Sequence, residues 1–452
     1  MTTETATARD IVERIERLPT SWWLIKTRII VGTATFFDGF DGLAIAVAMP
    51  AIIAAWHLAP QNVGILLGAG SFGQAAGAIF FGWLAERWGR LPVACLTVAL
   101  FSITSLLCVF AWDFNSLLAL RVLQGIGLGG EVPVAATYIS EFAKARNRGS
   151  FVLVYETIFG VGIFIASLIG VWIVPSYGWQ SIFLVGALPA LLAIWMRRSL
   201  PESPRWLASQ GRLAEADRIV TDIEDAIRAE GKVLPEPVRL DVAPRTERGS
   251  WTELFGNFYL GRTIVAWSVC LCAGFLSHGV TQWLPSILST VFHLDLRSSL
   301  SYSVLSTTMA IGGGLGCALL IDWTGRRNWI VLSFAACAAC FFIIGWAGQP
   351  GLALVIVLTT VGRFFSSSTV TLMYLYIPEL YPTRLRATGN GAAGTWLRIG
   401  NGIAPAIVGF ILASDGIGAA FMMLGGVAIV GALAFWCFAY ETNRRVLEEI
   451  SP

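Results

Sequence analysis

The sequence predicts an all-α membrane protein whose twelve transmembrane helices form two six-helix pseudo-repeats. The chain of 452 residues is 56% hydrophobic and 13% charged, whereas soluble domains carry about 25% charged residues. Twelve apolar runs are each long enough to cross a bilayer. A run that crosses lipid must be helical, because its backbone finds no other hydrogen-bond partners there. Charged motifs that recur at a nearly constant offset indicate that the second half repeats the first.

The apolar runs fall into two groups of six on either side of a polar segment. The first six runs cover roughly residues 29–55, 63–85, 91–111, 116–141, 150–174 and 179–197. The second six runs cover roughly residues 263–292, 300–321, 329–347, 351–380, 388–412 and 417–439. We therefore divide the chain into an N-terminal segment, a first half, a linker, a second half and a tail, at residues 1–28, 29–197, 198–262, 263–439 and 440–452. A charged stretch within the linker, from Arg212 to Glu230, predicts an amphipathic helix.

Two charged motifs of the first half recur in the second half. GWLAERWGR at 82–90 matches ALLIDWTGR at 318–326, and YISEFAKARNRG at 138–149 matches YIPELYPTRLRATG at 376–389. The matching charged residues are Glu86 and Asp322, Arg90 and Arg326, Glu141 and Glu379, and Arg146 and Arg384. PESPRW at 201–206 and YETNRR at 440–445 extend the set. We expect these groups to form networks at helix ends that hold the halves together and break when a gate opens. The simpler alternative, charges that only set topology, explains the arginines but not the repeated acids.

The placement of basic residues sets the topology. They lie in alternate loops, in the N-terminal segment, in the linker and in the tail, while the other loops contain only Arg297. By the positive-inside rule, both termini and the linker are cytoplasmic. The net charge of +2 indicates no particular partner, and we expect the lipid bilayer rather than a nucleic acid around this chain.

The sequence offers no basis for enzymatic chemistry. It contains no nucleophile–base arrangement, no phosphate-binding loop and no cluster with metal-ligand spacing. Its eight cysteines all lie inside predicted spans and lack the spacing of a disulfide framework. We therefore expect no cofactor and no metal, and we interpret the cysteines as small packing residues.

These motifs resemble those of the major facilitator superfamily, and the resemblance extends over nearly the full chain. Parallel repeats of six helices are the layout of that superfamily. The paired loops at 82–90 and 318–326 are similar to its most specific motif. PESPRWL at 201–207 and PELYPTRLRATG at 378–389 resemble the branch that holds sugar porters and organic cation and anion transporters.

Two shorter strings resemble particular bacterial members of this superfamily. DGFD at 38–41 is similar to aromatic acid:proton symporters and nicotinate-type permeases, and GGEVP at 129–133 to nicotinate and metabolite:proton symporters. The resemblance implies a monomeric inner-membrane transporter that imports a small organic anion, an aromatic or heteroaromatic carboxylate, together with a proton. Transporters of organic cations, dicarboxylates or sugars and polyols remain alternatives, as does a transport-inactive receptor.

Three charges from different predicted spans share one layer near the middle of the membrane. Asp38, Glu131 and Arg398 each lie ten residues from Arg28, Glu141 and Thr388, respectively, which corresponds to a depth of about 15 Å along a helix. Charges at this depth need a partner, a water-filled cavity or a function. Transporters built from repeats bind their substrates in this layer, so we take it as the candidate site.

Arg398 is the strongest indication of the substrate. A guanidinium matches a carboxylate in a planar, two-pronged geometry. Arg398 opens the string RIGNGIAP, which aligns with a stretch where organic cation relatives carry an acid and organic anion relatives a base. The resemblance therefore implies an anionic substrate. The alternative is that Arg398 only neutralises Glu131 or Asp38.

Carboxylates in the first half are candidates for proton coupling. Asp38 and Asp41 are three residues apart and share one face of a helix, where two close carboxylates cannot easily both be ionised. One of them, or Glu131, should then carry the symported proton. Arg121 couples to these acids or forms a fixed salt bridge between helices. The alternative for Asp38 is a structural pair with an arginine.

Aromatic residues surround the same layer. Phe40, Trp283, Tyr374 and Trp396 are the predicted walls of a cavity for a flat ring. The seventh span reads SHGVTQW at 277–283 and lacks the paired glutamines that sugar porters use to hold hydroxyl groups. Gln282 remains as one polar anchor for the substrate. This departure disfavours a sugar.

Overall fold

The described part of the chain is helical apart from the connections between helices. The computed structural model describes residues 7–142, 148–236, 251–256, 258–382 and 385–442, and the side chains at 148–156, 322 and 387 lie outside this description. Within these ranges the chain forms seventeen α-helices, one short 3-10 helix at Trp251–Phe255 and no strand.

The helices follow one another with short connections. The N-terminal helix and the first half contain α1 (Ala8–Arg17), α2 (Trp22–Trp56), α3 (Pro60–Trp88), α4 (Arg90–Cys108), α5 (Phe114–Glu141), α6 (Arg148–Tyr177), α7 (Gln180–Gly186) and α8 (Pro189–Ser199). The linker contains α9 (Pro204–Ser209) and α10 (Leu213–Ala229). The second half contains α11 (Leu260–Thr281), α12 (Leu284–Thr290), α13 (Leu296–Thr324), α14 (Arg326–Trp346), α15 (Leu352–Glu379), α16 (Arg386–Ser414) and α17 (Gly416–Phe438).

Twelve helical segments are long and apolar enough to cross a membrane, as the sequence predicts. The sixth span consists of α7 and α8, and the seventh of α11 and α12. Pro189 and Pro285 lie at the starts of α8 and α12; because proline has no backbone N–H, it interrupts the helical hydrogen bonds at both places. The first span begins at Trp22 rather than near residue 29, since Ser21 caps the helix by accepting a hydrogen bond from the Leu24 amide.

The helix contacts of the first half recur in the second half. In the first half α2 packs on α6, α3 on α5, and α4 on both α5 and α8. In the second half α11 packs on α16, α13 on α15, and α14 on both α15 and α17. Each contact has its counterpart six spans later, and this confirms the predicted pseudo-repeat. The residue at which each half begins and ends stays a prediction.

The two halves meet closely at one end of the bundle. We call the end that carries α1, α9 and α10 the linker end, and the opposite end the far end. Helix α3 crosses α16 at the far end. A Cβ atom at Gly64 would overlap the carbonyl oxygen of Pro405, and one at Gly68 would overlap that of Gly402. Only glycine permits this approach of one backbone to another.

The hydrogen bonds between the halves lie toward the far end of the bundle. The hydroxyls of Ser167 in α6 and Thr307 in α13 are 2.8 Å apart. Gln282 Nε2 donates to the carbonyl oxygen of Gly42 at 3.1 Å. Between residues that the structure describes, no hydrogen bond or ion pair joins the halves at the linker end. The molecule is therefore sealed at the far end.

The linker packs on the N-terminal helix α1 through a buried ion-pair cluster. Glu224 of α10 accepts hydrogen bonds from Arg14 and Arg17 of α1, at 2.9 and 2.7 Å. Burial alone would raise the pKa of Glu224, but the hydrogen bonds and charges of Arg14 and Arg17 hold it below its ordinary value. The amphipathic helix predicted in the linker is confirmed as α10. The sequence prediction missed α1, whose Ile11 and Ile15 are fully buried one turn apart.

The glycine contact between α3 and α16 yields a test of the far-end seal. Gly68→Leu should force these helices apart, because overpacking a tight contact costs about 1–3 kcal/mol. We expect a longer distance between spin labels placed at the far ends of α3 and α16. Gly426→Leu is the matched control, because a Cβ there meets nothing within 4 Å. An unchanged distance in the Gly68 variant would show that this contact does not set the seal.

Candidate functional site

A buried polar cluster around Asp41 occupies the interior of the first half. Asp41 is completely buried in α2, and its Oδ1 atom lies 3.3 Å from the hydroxyl of Ser105 in α4. Arg121 and Gln124 of α5 are the other polar groups that act on this carboxylate, and the Arg121 guanidinium donates to the Gln124 side-chain oxygen. No hydrogen bond reaches Asp41 Oδ2 from the part of the chain described. The structure thus brings together Asp41 and Arg121, two residues that the sequence selects.

The other two predicted acids are also buried in the first half. Glu131 of α5 is completely buried, and its Oε1 atom accepts a hydrogen bond of 3.0 Å from Thr35 of α2. Asp38 is 4% exposed. A Cβ at Gly39 would overlap the carbonyl oxygen of Phe159 in α6, so this glycine lets α2 approach α6 closely and fixes the depth of both aspartates.

Arg398 lies near the middle of α16 and is only partly buried. Its Nη1 atom makes one long hydrogen bond of 3.4 Å to the carbonyl oxygen of Gly394, a residue of its own helix. Among the described residues it has no acidic partner, so neither Asp38 nor Glu131 is seen to neutralise it. Two residues away, Trp396 packs against Trp267 with ring centroids 5.5 Å apart.

A second arginine of the second half is buried more deeply. Arg363 of α15 is 6% exposed, and its Nη1 atom donates to the hydroxyls of Ser277 at 3.0 Å and Ser366 at 3.3 Å. His278 follows Ser277. When the Asn401 side-chain amide is oriented so that its nitrogen faces acceptors, that nitrogen donates a hydrogen bond of 3.0 Å to His278 Nδ1. The sequence analysis selected neither Arg363 nor His278 as a site residue. The absence of any acid in the apolar string around Arg363 is the signal that could have identified it.

The predicted aromatic and amide contacts divide into two groups. Tyr374 is 42% exposed and Trp396 is partly exposed, so both can face open space. Phe40 is completely buried. Trp283 donates to the carbonyl oxygen of Pro405 at 2.9 Å within the second half. Gln282 donates across to α2 and so belongs to the far-end seal in this conformation. Their contact with a substrate stays a prediction.

The duplicated motifs form matching networks at the linker end. Arg90 pairs with Glu141 at 3.1 Å in the first half, and Arg326 with Glu379 at 3.8 Å in the second. Each of these two ion pairs lies within one half, and the predicted contact between the halves stays a prediction. Glu86 is exposed. Within the described chain, Arg90 forms its ion pair with Glu141 and not with Glu86. Residues Arg146 and Arg384 and the side chain of Asp322 lie outside the described residues.

Sequence reasoning missed the most regular part of these networks. Glu202 accepts hydrogen bonds from the backbone amides of Arg90 and Leu91, and Glu441 from those of Arg326 and Arg327. Each glutamate thus caps the positive N-terminal end of a helix. Burial raises the pKa of Glu202, and the hydrogen bonds from those amides oppose the rise. The strings PESPRW and YETNRR carried this signal, because both acids keep the repeat offset.

The hydroxyls of two tyrosines complete the duplicated geometry. Tyr138 donates to the carbonyl oxygen of Pro201 at 2.7 Å, and Tyr376 to that of Tyr440 at 2.9 Å. No group of three or more potential metal ligands occurs among the described residues.

Comparison with known proteins agrees with this architecture. The family described as "Sugar (and other) transporter" matches residues 31–452. The chain belongs to this family of the major facilitator superfamily. It is therefore a multi-pass membrane transporter and not an enzyme.

Individual relatives place the chain more narrowly within the family. The niacin transporter NiaP of Acinetobacter baylyi is 31% identical over 442 residues, which cover 98% of this chain and 99% of that protein. The gallate transporter of Pseudomonas putida is 30% identical over 94% of both chains. The inward-open xylose transporter XylE from E. coli shares the fold, with a TM-score of 0.74, 16% identity and coverage of 94% of this chain and 99% of XylE. The resemblance predicted from the motifs is confirmed.

Proposed function

We propose that this transporter is a proton-coupled symporter that imports a small organic anion by alternating access. The substrate is an aromatic or heteroaromatic carboxylate, such as a benzoate-like or nicotinate-like acid. The observation that carries the proposal is Arg398, a partly exposed guanidinium in mid-bundle that has no acidic partner among the described residues. The relatives named as niacin and gallate transporters support the same class of substrate.

Arg398 and the aromatic residues near it form the substrate side. A carboxylate can replace the long contact of Arg398 with its own helix by a two-pronged, charge-assisted pair. The Trp267–Trp396 stack and the exposed face of Tyr374 provide apolar surface for a ring. A substrate without negative charge would leave the guanidinium unneutralised within the membrane.

Asp41 is the best placed proton carrier. A proton can add to its Oδ2 atom without the loss of an existing hydrogen bond, because no donor reaches that atom in the described chain. Arg121 would then be released from the charge of Asp41, and this change can be transmitted through α5. Asp38 and Glu131 are the alternative carriers on the same two helices.

The duplicated networks at the linker end are the proposed gate. By the positive-inside rule, the excess of basic residues orients this end to the cytoplasm, so the far-end seal closes the outer side. On reorientation the halves would approach at the linker end, and Arg90 and Arg326 would exchange their pairing within one half for contacts across the halves. We expect the protein to do this as a monomer in the bacterial inner membrane.

Uptake of labelled solute into proteoliposomes under an imposed proton gradient tests the proposal. Accumulation that collapses with a protonophore supports symport, and binding without accumulation would favour the transport-inactive receptor. Competition by benzoate, nicotinate, an organic cation, a dicarboxylate and a sugar then identifies the substrate class. Competition by the cation or the sugar alone would overturn the assignment of an anion.

Arg398→Gln should strongly weaken anion binding while the protein still inserts and remains monodisperse. Removing a charged hydrogen-bond partner costs about 1.5–3 kcal/mol, which corresponds to a loss of affinity of about 10- to 100-fold. Binding of nicotinate or benzoate to the purified protein is the measurement. Arg297→Gln, at the far end beside Trp172, is the control for loss of positive charge alone. An unchanged affinity would remove Arg398 from the site.

Asp41→Asn should separate accumulation from exchange. Asparagine imitates the protonated aspartate, so the loaded carrier still reorients and exchanges solute for solute. Concentrative uptake should fall to background, and the exchange rate should lose most of its dependence on pH. Asp38→Asn and Glu131→Gln, measured in parallel for counterflow and proton-driven uptake, show which acid carries the proton. Full pH-dependent accumulation in all three variants would rule out these carboxylates.

Arg90→Ala should lower the maximal transport rate by about 10-fold, since it removes one charged pair at the gate, and should leave KM within a small factor. Arg87→Ala is the matched control. Arg87 also lies at the linker end, in α3, but its guanidinium carbon stacks 4.2 Å from the centroid of the Trp83 ring. Equal effects of the two substitutions would favour charges that only set topology. A large rise in KM at constant maximal rate would contradict a gating role.

A further inference from the structure

Arg363 is a buried guanidinium for which the proposed transport cycle has no use. Its hydrogen bonds go to the uncharged hydroxyls of Ser277 and Ser366, and its Nε atom has no partner in the described chain. No described carboxylate acts on it. A buried charge without a counter-charge costs several kcal/mol. The site therefore lacks a compensating anion.

The groups beside Arg363 are arranged to donate hydrogen bonds. Ser277 accepts from Arg363, so its own hydroxyl hydrogen is available to another acceptor. His278 accepts from Asn401 at Nδ1, which leaves the proton of the neutral ring on Nε2 as a second donor. His278 lies within electrostatic range of Arg363. A guanidinium, a hydroxyl and an imidazole N–H together provide a binding site for an anion.

The cluster borders open space and continues toward Arg398. Ser277, His278 and Asn401 are all partly exposed, although Arg363 is buried. Asn401 follows Arg398 by three residues on α16 and therefore lies on the same face of that helix. An anion at Arg363 would thus be a neighbour of the group bound by Arg398.

The first half shows what neutralises a buried arginine in the corresponding span. Arg121 and Arg363 lie in corresponding spans, the fourth and the tenth. Arg121 has the carboxylate of Asp41 within electrostatic range. The second half has no acid near Arg363 among the described residues, so the corresponding negative charge must come from a bound molecule.

We propose that the cluster of Arg363, Ser277, Ser366 and His278 binds a second small anionic group beside the carboxylate held by Arg398. This proposal rests on the proposed function, because the group bound next to the cluster, at Arg398, is taken to be an aromatic carboxylate. Two sources share the required chemistry: a second acidic group on the substrate itself, or a separate inorganic anion such as chloride.

The test is a binding experiment on the purified full-length transporter in chloride-free gluconate buffer. Affinities for benzoate and for the three benzene dicarboxylates are measured with and without added chloride, in the wild type, Arg363→Gln and Arg398→Gln. A chloride source predicts that chloride tightens benzoate binding by about 10-fold or more, as expected for one charged hydrogen-bonded contact. A substrate source predicts that one dicarboxylate binds about 10- to 100-fold tighter than benzoate. Arg363→Gln should remove either difference, and Arg398→Gln should weaken every carboxylate.

The proposal is overturned if Arg363→Gln keeps both the wild-type response to chloride and the wild-type ratio of dicarboxylate to benzoate affinity. Ser277→Ala, which keeps the charge and removes one donor, provides a second variant should the arginine substitution prevent folding; a smaller loss of the same difference is expected, and no loss overturns the proposal. A wild type that binds no aromatic carboxylate would instead contradict the proposed function. In that case a chloride-dependent rise in unfolding temperature, present in the wild type and absent in the variant, still tests the cluster.

Discussion

The cost of an unneutralised charge inside the membrane governs the interior of this protein. The first half buries three acids, Asp38, Asp41 and Glu131, together with Arg121. The second half carries Arg363 and Arg398 without an acid among its described interior residues. The two interiors therefore have opposite character, and ligands of opposite charge must complete them. In the proposed function, the proton and the organic anion are the two ligands that meet this requirement.

Close backbone contacts hold several of the helices that carry these charges. Because glycine has no side chain, the backbones of α2 and α6 touch, and so do those of α3 and α16. Asp38 and Asp41 lie on α2, and Arg398 lies on α16. The α3–α16 contact also closes the far end, so α16 carries both part of the seal and Arg398, the proposed substrate-binding residue.

Much of this arrangement was predictable from the sequence, because it depends on long-range regularities. Apolar length predicts the twelve spans, and the charged motifs predict the repeat and the presence of charged clusters at the helix ends. The breaks at Pro189 and Pro285, the capping by Glu202 and Glu441, and the donor cluster at Arg363 were not predicted. The breaks follow from the prolines themselves, which apolar length alone does not take into account. The caps and the cluster depend on which side chains from distant segments meet, and periodicity carries no information about that. Gln282 shows the same limit, since its position in the seal depends on the conformation of the whole bundle.

The duplicated caps have a consequence for how such carriers diversify. Glu202 and Glu441 secure the same helix start in both halves through the same backbone hydrogen bonds, so the scaffold inherited from a single ancestral half is independent of what lies in the interior. Ion coupling, in the proposed mechanism, resides in one copy and cargo recognition in the other. Under that mechanism, substitutions in α11, α15 and α16 alone would change the substrate, and the proton-coupling residues of the first half would stay unchanged.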